Sequence, residues 1–170
     1  MALFRALPAA ALLVALALPA AAQTVNIAAP ASATVDAARS VVQDWARVLD
    51  ADRDGRIDAD EMAAGAATVF ASLDVDGSGD VTRAEMTGWE HGFGAMAAHR
   101  GRAQAFETAM GIVFDLHDRN DDGRVSRAEF MAATEADMRV ADGDGDGALS
   151  FAEFYRDFLF NVALRTALRG

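Results

Sequence analysis

Residues 142–153 read Asp142-Gly-Asp-Gly-Asp-Gly-Ala-Leu-Ser-Phe-Ala-Glu153, and three further stretches of the chain repeat the design. They are Asp50-Ala-Asp-Arg-Asp-Gly-Arg-Ile-Asp-Ala-Asp-Glu61, Asp74-Val-Asp-Gly-Ser-Gly-Asp-Val-Thr-Arg-Ala-Glu85 and Asp118-Arg-Asn-Asp-Asp-Gly-Arg-Val-Ser-Arg-Ala-Glu129. Alternate residues of a tightly turning loop can aim oxygen atoms at one centre. A hard cation such as Ca²⁺ takes about six to eight of them. The first, third and fifth positions supply such oxygens: Asp50, Asp52 and Asp54; Asp74, Asp76 and Ser78; Asp118, Asn120 and Asp122; Asp142, Asp144 and Asp146. Asp58, ninth in its loop, adds another carboxylate to the first stretch. Glu61, Glu85, Glu129 and Glu153 close the loops, each with two oxygens to give.

The remaining positions serve the geometry. Gly55, Gly79, Gly123 and Gly147 stand sixth, where the chain must turn through a positive φ that a Cβ penalises. The seventh residue ligates through its carbonyl, so Arg56, Asp80, Arg124 and Ala148 can differ in side chain. Ile57, Val81, Val125 and Leu149 stand eighth, where aliphatic side chains let two loops pair as a short ribbon over a shared core. Thr82 with Glu85, Ser126 with Glu129 and Ser150 with Glu153 have the spacing of a helix capping box, and Asp58 with Glu61 is its acidic counterpart. Each exiting helix is therefore expected to begin inside its loop, with carboxylates near its positive end. Loops one and four offer the most acidic side chains at ligating positions, five and four against three each in loops two and three, and are expected to bind most tightly.

Flanking residues read as amphipathic helices: Val41, Val42, Trp45, Val48 and Leu49 before loop one; Val69, Phe70 and Leu73 before loop two; Met110, Val113, Phe114 and Leu116 before loop three. Only twelve residues, 62–73, separate loops one and two, and twelve more, 130–141, separate loops three and four. A continuous helix across either gap is about 22 Å long at 1.5 Å per residue. Its two loops then sit at opposite ends and cannot pair with each other. Residues 86–117 suffice instead for two antiparallel helices joined near Arg100-Gly101-Arg102, which bring loop three beside loop two. Loops two and three are thus expected to pair centrally, and loops one and four at the far end. Residues 151–168 are expected to form a last helix packed on helix one through Phe154, Phe158, Val162 and Leu168.

On these motifs residues 37–169 resemble the EF-hand superfamily, and the calmodulin-like calcium proteins of the exported bacterial type in particular. The resemblance implies an all-α fold of four EF-hand helix-loop-helix units in one domain, residues 35–170, holding up to four Ca²⁺. The close loop spacing is also similar to the lanmodulin family, which binds lanthanide ions, and Asp58 matches the Asp which that family carries ninth in the loop. Lanmodulin loops carry Pro at the second position, however, where this chain has Ala51, Val75, Arg119 and Gly143. Calcium is therefore the leading expectation and lanthanide the alternative.

The chain around the loops narrows the class further. Arg5, the apolar run from Ala6 to Leu18 and Ala20-Ala21-Ala22 read as a secretory signal peptide over residues 1–22, which places the protein in the periplasm or outside the cell. Residues 23–34 read as a flexible leader. A formal charge of −11 over 170 residues argues against nucleic acid and anionic membranes as partners. The absence of cysteine excludes disulfides and thiolate metal sites. His91, His99 and His117 read as surface or half-packed residues, since no second His or Cys completes a transition-metal set. No nucleophile with its base, and no phosphate-cradling loop, stands outside the acidic loops, so no enzymatic activity is expected. Met62, Met86, Met96, Met110, Met131 and Met138 raise an adaptable groove for a protein partner against plain core packing, and Met62 and Met86 match the core positions of Phe130 and Phe154.

Overall fold

A computed structural model describes residues 31–89 and 93–168, with side chains from Arg39 onward. The expected signal peptide, most of the expected leader, and His91 lie outside the described residues.

Each acidic loop is flanked by helices and crossed by a short strand. Helix α1 spans Ala31–Leu49, strand β1 Arg56–Ile57 and helix α2 Ala59–Leu73. Strand β2 spans Asp80–Thr82, and helices α3, α4 and α5 span Arg83–Thr87, Phe93–His99 and Ala103–His117. Strand β3 covers Arg124–Ser126, helix α6 Arg127–Ala141 and strand β4 Leu149–Ser150. Helices α7 and α8, Phe151–Arg156 and Leu159–Leu168, complete the described chain. Helix α1 takes in residues 31–34, which the sequence alone placed in the leader.

The strands pair antiparallel across the loops. β1 lies against β4, with Ile57 opposite Leu149. β2 lies against β3, with Val81 opposite Val125. All four of these aliphatic side chains are buried. Burying one such side chain is worth roughly 1.5–3 kcal/mol, so the ribbons join the loops through their hydrophobic floors as well as their hydrogen bonds.

Helices α2 and α6 run between the two ribbons in opposite directions and pack on each other, with the Phe70 and Phe130 rings edge to face at 5.7 Å. Both begin at a capping box. The Asp58 and Ser126 side chains accept the Glu61 and Glu129 backbone N–H groups, and those glutamates reach back to the cap residue's own N–H.

Two expected helices are broken. The helix leaving loop two stops at Gly88 and resumes at Phe93. At Gly94 a Cβ would come within 2.6 Å of the Trp89 carbonyl, so that approach needs glycine. The helix leaving loop four stops at Asp157 and resumes at Leu159. There the Asp157 and Phe158 N–H groups both donate to the Glu153 carbonyl, and the buried Asn161 amide donates to the Phe154 carbonyl at 2.9 Å.

The second break turns Phe160 into an aromatic cluster. Its ring lies 6.2 Å from Trp45 and 5.7 Å from Trp89, and Trp45 also meets Trp89 and Phe93 at 5.9 Å. The last segment therefore does pack on α1, but as two helices rather than one. Val48 and Leu116, expected in the core, are 80% and 52% exposed. The inward face of α1 runs through Val42, Trp45, Ala46 and Leu49, and that of α5 through Phe106, Met110, Val113, Phe114 and His117. His117 itself is buried, deeper than the surface or half-packed position expected for it.

Candidate metal centre

The loops are preorganised by their own backbone. In each, the N–H of the sixth-position glycine donates to the first aspartate: Gly55 to Asp50 and Gly147 to Asp142 at 3.0 Å, Gly79 to Asp74 and Gly123 to Asp118 at 2.9 Å. The fifth residue's N–H donates back to the third, as Asp54 does to Asp52 at 3.1 Å and Ser78 to Asp76 at 2.9 Å. These bonds aim carboxylates inward at a small volume.

Positive φ recurs at the fourth loop position as well as the sixth. Gly77 and Gly145 occupy it in loops two and four, but Arg53 and Asp121 hold φ of 65° and 56° in loops one and three. A left-handed conformation costs a non-glycine residue roughly 1–2 kcal/mol. The sequence does contain the cue, glycine at the fourth position in two loops of four.

Three of the four terminal glutamates, Glu85, Glu129 and Glu153, are held ionised. Glu153 accepts the Gly143 N–H through Oε1 at 2.9 Å, and the Ser150 N–H and hydroxyl through Oε2 at 2.9 and 2.7 Å. The Ser150 hydroxyl and N–H, with the Gly143 and Asp144 N–H groups, hold its carboxyl down at about 2, outweighing burial. The same kinds of donor depress Glu85, led by the Thr82 N–H, and Glu129, led by the Ser126 hydroxyl. Asp76 is depressed chiefly by hydrogen bonds from Ser78.

Three groups of carboxylates have one oxygen from each member within 4.8 Å of the others: Asp50, Asp52 and Asp54; Asp74, Asp76 and Glu85; Asp142, Asp144 and Glu153. That span is the widest that ligand oxygens at about 2.4 Å from a common ion can have. In loop one Asp58 stands apart as the cap of α2, its Oδ1 accepting the Glu61 N–H at 2.8 Å. Loop three forms no such acidic group among the described residues. Its third position is the neutral Asn120, whose amide donates to Asp122 at 3.0 Å.

In loop four Asp146 is not in the group, and the Arg56 guanidinium binds its Oδ2. At the other ribbon Arg124 lies 3.9 Å from Asp80. The Asp80 carbonyl, the seventh-position oxygen of loop two, accepts the Ser78 hydroxyl at 2.9 Å. The all-oxygen, anionic donor sets fit a hard cation, and Asp50 Oδ1 supplies a separate sign of fit: it is buried with no hydrogen-bond partner among the described residues. A carboxylate oxygen in that condition costs free energy unless a cation meets it.

Behind loop one a cleft of about 670 Å³ opens between α1, α2 and α6. Trp45, Met62, Val69 and Phe130 line it, and Asp137 and His117 stand in its wall. The His117 ring nitrogen Nδ1 pairs with the Val113 carbonyl at 2.8 Å, and burial lowers its pKa. Among the described residues no helix is long and apolar enough to cross a membrane.

Helix-flanked acidic loops that pair through antiparallel ribbons define a class of helical metal-binding proteins. A family model described as EF hand matches the chain over residues 42–64, 111–132 and 136–159, which takes in loops one, three and four. Those three segments match the EF-hand family, which supports membership of the superfamily, and together with the acidic groups they point to calcium binding. Loop two lies outside the matched segments, yet carries the same capping box, glycine turn and carboxylate group. A search of curated proteins finds no match.

Proposed function

We propose that this is an exported calcium-binding protein with four EF-hand units, in which loops one and four form one cooperating pair and loops two and three the other. The observation that carries the proposal is the convergence of carboxylate oxygens in loops one, two and four, with Asp50 Oδ1 buried and unpartnered. The residues that would hold the ions are Asp50, Asp52, Asp54 and Glu61; Asp74, Asp76, Ser78 and Glu85; Asp118, Asn120, Asp122 and Glu129; and Asp142, Asp144, Asp146 and Glu153. The carbonyls of Arg56, Asp80, Arg124 and Ala148 would join them. Bound Ca²⁺ supplies charge neutralisation, so that clustered carboxylates repel less and folding and metal affinity rise together. The proposal includes export, supported by the charged start, apolar run and small residues of positions 1–22. Extracellular calcium is commonly high enough for weak sites of about 10⁻⁴–10⁻³ M to fill.

Within this reading a buffer or metal-stabilised scaffold is the simpler role. A sensor is the second, favoured by the apolar cleft beside α2, which offers a surface for a partner protein.

The test is a chelator-buffered titration of the chain with Ca²⁺, Mg²⁺ and La³⁺ in parallel, following helix content by circular dichroism and apolar exposure by a hydrophobic dye. Calcium binding is expected to change helix content at micromolar to millimolar free Ca²⁺. No response to Ca²⁺ at any concentration, with La³⁺ acting at far lower levels, replaces calcium with lanthanide as the cargo. A rise in dye binding on adding Ca²⁺ selects the sensor, and a constant dye signal selects the buffer.

A further inference from the structure

Arg56 and Asp146 lie 90 residues apart and meet across the ribbon formed by β1 and β4. Arg56 is the seventh residue of loop one, a position that contributes only its carbonyl, so its side chain is free to act elsewhere. Asp146 is the fifth residue of loop four, whose side chain is one of the loop's oxygen donors. The two loops of this pair differ at that position. In loop one the fifth-position Asp54 joins the group of converging carboxylates. In loop four Asp146 does not: its Oδ1 accepts the Ala148 N–H at 3.1 Å, as Asp54 Oδ1 accepts the Arg56 N–H at 2.8 Å, but its Oδ2 alone of the two is taken by a guanidinium. The other ribbon provides the contrast. There Arg124 approaches Asp80, a seventh-position residue whose carboxylate is no ligand of its loop. Among the ion pairs of the described residues, the one between loops one and four sets an arginine directly on a metal-ligating carboxylate.

Resting on the calcium reading above, we propose that Arg56 sets the affinity of loop four: its guanidinium competes with the metal for Asp146, and loop four fills only as Arg56 is displaced. The pair is partly exposed, with 39% and 36% of the two side chains accessible. Its contribution is therefore that of a surface ion pair, about 0.2–1 kcal/mol, or roughly a 1.5- to 5-fold weakening of loop four.

The sixth-position glycines supply a separate reporter for each loop. Each of their N–H groups donates to the first carboxylate of its own loop, so each amide resonance responds when that carboxylate is polarised by an ion. The experiment is a Ca²⁺ titration of the full chain followed by the amide signals of Gly55, Gly79, Gly123 and Gly147. It compares the parent with Arg56→Gln, with Arg53→Gln, which removes the same charge from loop one but has no bond to Asp146, and with both arginine forms in an Asp146→Asn background. The Gly147 midpoint is expected to move to lower Ca²⁺ by about 1.5- to 5-fold in Arg56→Gln. Gly79 and Gly123 should stay in place, Arg53→Gln should leave Gly147 near the parent value, and Arg56→Gln should add nothing once Asp146 is Asn. An unchanged Gly147 midpoint in Arg56→Gln overturns the proposal, as does an equal shift in Arg53→Gln or a full shift in the Asp146→Asn background. If no glycine of the parent responds to Ca²⁺, it is the calcium reading itself that fails.

Discussion

Asp137 stands on α6 in the wall of the apolar cleft, and burial raises its carboxyl to about 6 while the Arg119 charge pulls weakly the other way. The folded chain thus holds this proton more tightly than the unfolded chain, whose aspartate titrates near 3.8. Its ionisation costs nothing below that value, costs progressively more as pH rises toward 6, and costs the full amount above it. Replacing Asp137 by Asn should stabilise the metal-free protein by on the order of 1–2 kcal/mol at pH 7.5 and leave it nearly unchanged near pH 3, as read from urea melts in chelator. Residue chemistry of the loops was legible in the sequence, because ligand, glycine and capping positions each demand particular side chains. Burial of His117 was not legible: the residue sits in the last turn of α5, where one step around the helix separates the core from water, and Leu116 beside it faces out.

The elements divide by what ends them. Helices α2 and α6 start at capping boxes and stop where the next acidic loop begins, both signals being written in side chains. The breaks after Gly88 and Asp157 depend on contacts made only in the folded state. One is the close approach of Gly94 to the Trp89 carbonyl; the other is the amide of Asn161 on the Phe154 carbonyl. Asn161 is completely buried, and its Oδ1 has no hydrogen-bond partner among the described residues. A polar residue so placed is tolerated for the one carbonyl it satisfies at the interrupted helix. Replacing it by Ala should cost about 1–3 kcal/mol and loosen the packing of Phe160 on Trp45 and Trp89. The check is a lower thermal midpoint together with a change in tryptophan fluorescence, and an unchanged midpoint removes the amide from its role as staple.

Across the whole molecule, the distribution of chain between the loops was the most legible feature of the fold. Twelve residues between loops one and two leave room for one rigid helix, and the strands accordingly pair β1 with β4 and β2 with β3. A ribbon that joins two loops makes the filling of one felt by the other. Replacing Glu153 by Gln should therefore weaken Ca²⁺ binding at loop four by at least tenfold, weaken loop one by a smaller factor, and leave loops two and three close to the parent. Residue-resolved calcium titrations check this, and an equal loss at all four loops rejects pairwise coupling. The aromatic cluster around Trp45 was not legible at this scale. It gathers side chains from α1, α4, α8 and the stretch after α3, and no local pattern announces that meeting.

The two ribbons are nested along the chain. Val81 and Val125, 44 residues apart, close inside the span of Ile57 and Leu149, which are 92 apart. Closing a flexible loop costs more entropy as it lengthens, by about 0.6 kcal/mol per doubling. Once the inner ribbon has formed, it short-circuits the outer path and leaves only the arms from 57 to 81 and from 125 to 149 to be brought together. The chain is thus built to assemble from its middle outward like a zip closed from the centre, with the pair of loops nearest its two ends the last to be secured and the first to let go.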